Sequence, residues 1–122
     1  MKKLLTITLT LIIALSCLLM GGCGVKGDYN LKYLKVGNTQ YNIGEDYNGE
    51  ELTSGYVVLS LDDDDQASLI IGNLTLSGTW KISEEDDDEL ILQLGAVRIY
   101  AEMDDKELDF TFRNVTYTMS KV

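Results

Sequence analysis

Residues 74–82 read Leu74-Thr75-Leu76-Ser77-Gly78-Thr79-Trp80-Lys81-Ile82, with every even position apolar or glycine and every odd position polar. A two-residue period puts those two sets on opposite faces of a pleated strand, whereas a helix would scatter both around its axis. Gly72-Asn73, just upstream, is a two-residue hairpin signal. Gly78 inside such a strand predicts a bend or the close approach of another backbone.

The same alternation extends in both directions. Upstream, Val57, Leu59 and Leu61 share one face of a strand over Tyr56–Leu61, and Ala67, Leu69 and Ile71 do so after an aspartate turn. Downstream come Leu90, Leu92 and Leu94, then a turn at Gly95-Ala96. Val97, Ile99, Ala101 and Met103 follow. Leu108, Phe110 and Phe112 form the next set, Arg113-Asn114 turns the chain, and Val115, Tyr117 and Met119 close it. The first strand is expected over Tyr29–Val36, with Tyr29, Leu31 and Tyr33 on one face. Leu34 and Val36 switch parity, which predicts a bulge. Thr39–Ile43 follows the Gly37-Asn38 turn, with Tyr41 and Ile43 inward. Gly44–Gly55 is one long connection with Tyr47 and Leu52 as plugs, and it has room for a short helical turn.

About nine strands joined by short turns predict an all-β, antiparallel up-and-down meander, curled into a barrel because closure removes exposed edges. No proline interrupts any strand. Connections in a meander alternate between two ends. The turns at Asp62–Asp65, Glu84–Glu89 and Asp104–Glu107 hold thirteen of the 20 acidic residues and are expected at one end. The strand count places the entry of the chain at the other.

The first 22 residues read as an address. Met1-Lys2-Lys3 is a basic start, and Leu4–Leu19 is apolar apart from three threonines, Ser16 and Cys17. That run is short for a membrane span of ~20 residues, and with small residues at its end it fits a secretory signal. Leu19-Met20-Gly21-Gly22-Cys23 resembles a bacterial lipobox, with Met20 where that pattern usually has leucine. The resemblance implies a diacylglyceryl group on the Cys23 sulfur, cleavage before Cys23, and lipid anchoring on the extracytoplasmic side of the cell membrane. Cys17 is the rival acceptor, but cleavage there leaves the apolar stub Leu18-Leu19-Met20. The expected organisation is therefore 1–22 signal peptide, 23–27 lipidated cysteine and flexible tether, and 28–122 folded domain.

Composition excludes much. Without the leader the side chains carry eight basic and 20 acidic residues, a net −12, which disfavours nucleic acid and anionic head groups. With Cys23 lipidated the mature chain has no thiol and hence no disulfide, and it has no histidine. No enzyme and no cofactor are expected. Asp62-Asp63-Asp64-Asp65 and Glu84–Glu89 lack the alternating spacing and turn glycine of a calcium loop, so they read as solvated turns and no metal is expected.

Tyr41, Tyr47-Asn48-Gly49, the Tyr56–Leu61 strand, Leu76–Lys81 and Val115–Lys121 make the domain similar to small lipocalin-like domains of bacterial lipoproteins. Lipocalins carry Gly-x-Trp near their first strand, whereas Gly78-Thr79-Trp80 is mid-domain here. The resemblance implies a barrel and names no ligand. Trp80, Tyr29, Tyr33, Tyr41, Phe110, Phe112 and Tyr117 either line a mouth for a small apolar ligand or fill the core, which a domain this small needs. The expectation is a monomeric envelope protein that binds a small hydrophobic ligand, or an envelope protein or cell-wall component at its surface.

Overall fold

Period-two segments without proline keep every ladder donor available, and the computed structural model describes residues 24–122 as an antiparallel β-barrel. The strands are β1 (Gly27–Val36), β2 (Thr39–Asn42), β3 (Asp46–Tyr47), β4 (Glu50–Glu51), β5 (Val57–Leu61) and β6 (Gln66–Ile71). They continue with β7 (Leu74–Ile82), β8 (Glu89–Leu94), β9 (Val97–Asp104), β10 (Glu107–Phe112) and β11 (Val115–Lys121). Neighbours from β5 to β11 pair in sequence, and β1 closes the circle by pairing with both β5 and β11. Eight strands therefore form the wall. Two three-residue 3-10 turns, Ser54–Tyr56 and Asp63–Asp65, flank β5. Cys23, Cys17 and the expected signal peptide at 1–22 lie outside the described residues.

β1 explains the departures from the expected meander. Its first half pairs with β5, from Gly27↔Leu61 to Asn30↔Val58, and its second half pairs with β2, from Tyr33↔Asn42 to Val36↔Thr39. β2 meets no other strand, so β2–β4 is an excursion beside the barrel, not part of the wall. Ile43, just after β2 and off the wall, is 42% exposed, against the inward position expected. The parity switch is real, but the register against β11 slips between Leu31 and Tyr33. The buried set passes from Tyr29 and Leu31 to Leu34, Tyr33 is only half-buried, and Val36 is exposed. Leu52 does plug the excursion against the core, at 2% exposure.

The inward faces of the wall meet in one cluster. Leu34, Leu59, Leu69, Leu90, Leu92 and Met119 keep no accessible surface at all. A void wide enough for water would leave surface on the side chains lining it, so the barrel is packed around these residues. Each fully buried leucine contributes about 1.5–3 kcal/mol of transfer free energy.

The connections after β5, β7 and β9, at 62–65, 83–88 and 105–106, gather at the end where β1 begins. This acidic end is the one expected from the alternation of turns. The entry of the chain is not. Gly24–Lys26 lies at the same acidic end, because β2–β4 leaves and rejoins the upper end without crossing the barrel. A β2 counted as part of the wall adds one reversal, and β2 is not in the wall. The entry segment is also fastened. Lys121 Nζ donates to the Gly24 carbonyl at 2.8 Å, the Tyr29 hydroxyl to Val25 O at 2.8 Å, and Lys26 Nζ meets Asp63 Oδ1 at 2.6 Å.

Candidate functional site

The aromatic candidates separate into two groups. Tyr29 and Trp80 sit inward near the acidic end, where Trp80 Nε1 donates to the Asp62 carbonyl at 3.0 Å. That bond satisfies the indole of a nearly buried tryptophan and ties β7 to the aspartate turn. Both residues close the lower mouth.

The upper mouth is closed by a second aromatic set. Tyr41 meets Tyr47 edge-on at 5.0 Å between ring centroids, and Tyr47 meets Tyr56 at 6.0 Å. Phe110 stacks on Tyr117 at 5.1 Å, and the Arg113 guanidinium lies 4.9 Å above the Phe112 ring. These contacts fill space that a ligand would need. Tyr33 belongs to neither set.

Tyr117 is 5% exposed, and its hydroxyl makes no hydrogen bond among the described residues. Burial, reinforced by the nearby Tyr47 and Tyr56 phenols, pushes it up to about 12 despite the opposing pull of Arg113. Burial raises Tyr29 and Tyr56 as well. A phenol whose folded pKa exceeds its unfolded value leaves stability unchanged below the unfolded value of 10.0 and lowers it as pH rises toward the folded one. Urea midpoints are therefore expected to hold up to about pH 10 and to fall from there toward about pH 12, with a shallower fall in Tyr117→Phe. An equal fall in both proteins would exclude Tyr117 as a source.

The acidic turns do not converge on a cation. No group of three acidic side chains among the described residues is arranged to hold a metal ion. Lys26 holds the Asp63 carboxyl below its ordinary value through their hydrogen bond and charge, and both groups are solvent-exposed. Asp64 and Asp65 have left-handed backbones, at φ 63 and 60, which fits the tight turn they make.

A different place on the wall is open. The β9–β10 ladder runs from Asp104↔Glu107 only to Glu102↔Asp109. Yet β9 stays paired with β8 through Val97, and β10 with β11 through Phe112. The facing edges of 98–101 and 110–112 therefore carry no ladder. A groove of about 450 Å³ lies there, lined by Arg98, Tyr100, Glu102, Asp109, Thr111 and Thr116 over Ile99 and Phe110. A second depression of about 300 Å³ adjoins it, lined by Lys81, Ser83, Glu84, Glu85, Glu89 and Ile91. Tyr100 borders both and is 53% exposed.

Tyr100 is not among the aromatic candidates drawn from the sequence. Its parity, opposite to Val97, Ile99, Ala101 and Met103, was the available signal for an outward aromatic. The broken ladder had none. Neither the family models, the curated proteins nor the solved structures compared with the chain give a match.

Proposed function

We propose that this chain is an envelope lipoprotein of lipocalin-like build, held by a diacylglyceryl group on Cys23, that binds its partner with the outer wall of the barrel. The packed interior supports this reading over an internal ligand site: Leu34, Leu59, Leu69, Leu90, Leu92 and Met119 meet at the centre of the barrel without accessible surface, where an apolar guest would have to sit. The wall supplies the alternative, because the early end of the β9–β10 ladder coincides with a groove and an exposed ring. Two acyl chains on one sulfur would give durable attachment, since each buried methylene contributes ~0.8 kcal/mol and a single chain is marginal.

The anchor would set an orientation. Gly24 lies at the acidic end, so a lipid on the preceding residue turns that end toward the bilayer. The aromatic-capped end then faces away, and the groove stands on the side of the barrel. No catalytic step belongs to this reading, since the mature chain would hold neither histidine nor thiol.

One pair of measurements on membrane-extracted protein tests it. Intact mass is expected to show a chain starting at Cys23 with a diacylglyceryl increment, and lauric acid is expected to give no saturable change in Trp80 fluorescence. A start elsewhere removes the anchor, and a saturable fatty-acid response returns the ligand to the interior.

A further inference from the structure

The groove at Tyr100 is more specific than a patch of wall. After a two-residue turn, antiparallel bonding pairs alternate. From Asp104↔Glu107 and Glu102↔Asp109 the next would be Tyr100 with Thr111. That pair is not made, so main-chain donors and acceptors of both residues face the groove without ladder partners. Such edges are templates for an added strand.

The charges along the groove point the same way. Glu89↔Glu102 and Glu102↔Asp109 are directly opposite pairs, so three carboxylates run in a row across β8, β9 and β10. Like charges in register destabilise a sheet. The ion pairs shown among the described residues, Lys26–Asp63 and Lys32–Glu107, leave this row unneutralised. Side chains that a sugar would use are already engaged: the Thr111 and Thr116 hydroxyls bond each other at 2.9 Å, and Arg98 Nε donates to Gln93 Oε1 at 2.7 Å. Backbone edges, carboxylates and the Tyr100 ring remain.

We propose that the groove between β9 and β10 receives an extended basic peptide segment, whose main chain bonds the open edges at Tyr100 and Thr111. Its lysine or arginine side chains lie against Glu89, Glu102 and Asp109, and one packs on the Tyr100 ring as a cation–π contact. The inference rests on the outer wall being the binding surface.

The test uses the full lipidated protein in nanodiscs and a labelled peptide of about eight residues alternating lysine and threonine. Saturable binding is expected, weakened about tenfold by Tyr100→Ala and by the double change Glu102→Gln, Asp109→Asn. Backbone N-methylation of the peptide should abolish it, and a glutamate–threonine peptide should not bind. Equal binding of the N-methylated peptide would reduce the site to charge alone and overturn the proposal. So would binding of an N-acetylglucosamine oligosaccharide at Tyr100 in place of the peptide, or no peptide binding at all. Lauric acid is titrated in parallel: a saturable response there overturns the surface reading itself, whereas peptide failure beside a silent fatty acid overturns only the peptide.

Discussion

Gly78→Ala is expected to destabilise the barrel by about 3 kcal/mol or more, a large share of the roughly 5–15 kcal/mol typical of one domain. A Cβ at this position would lie 1.9 Å from the Gln93 carbonyl oxygen and 2.8 Å from both Gln93 C and Leu94 Cα. All three are backbone atoms of β8, so no side-chain rotation relieves the clash. Gly78 also sits where the β7–β8 ladder ends, one residue beyond Thr79↔Gln93. Moving β8 aside would disturb the Trp80↔Leu92 and Ile82↔Leu90 pairs that build the core. Gly95→Ala is the control. Gly95 has φ +66 and nothing within 4 Å of its would-be Cβ, so only the left-handed backbone opposes alanine, at about 1 kcal/mol. Urea unfolding of both variants checks the contrast, and equal costs would mean that close approach to β8 does not govern position 78.

Gly78 shows what a period-two sequence reveals and where it stops. The glycine inside a clean alternation predicts a bend or a close backbone approach, and the approach of β8 is what the structure shows. Strand alternation likewise predicts the inward apolar positions of β5 to β11 and the gathering of acidic turns at one end. Both follow from local rules, the pleat and the reversal at each turn. What failed depends on pairing partners. Ile43 alternates like a buried residue, but β2 pairs only with β1 and leaves the wall, so the side chain just after it does not reach the core. The same misplaced strand put the entry of the chain at the wrong end. The groove depends on a ladder that ends early between two strands whose alternation is unbroken. Neither Tyr100 nor Thr111 carries a local mark of the missing pair, so the site was legible only as an outward tyrosine.

Leu92→Ala discriminates between a packed and a hollow barrel, and a cost of about 3–4 kcal/mol is expected. Leu92 has no accessible surface and pairs across the sheet with Trp80 on one side and Ile99 on the other, both nearly buried. In a hollow barrel, shortening a wall side chain enlarges space that already exists, and only the transfer term of about 2 kcal/mol is lost. In a packed barrel a new cavity adds its own penalty, because the surrounding strands relax only partly. That cavity would be apolar and dry, so benzene should bind the variant and raise its unfolding temperature while leaving the parent unchanged. A cost near the transfer term, with no benzene effect, would indicate pre-existing space beside Leu92 and move the binding site from the outer wall to the interior. The full cost with rescue by benzene would leave the wall, and the groove at Tyr100, as the surface on which this barrel meets its partner.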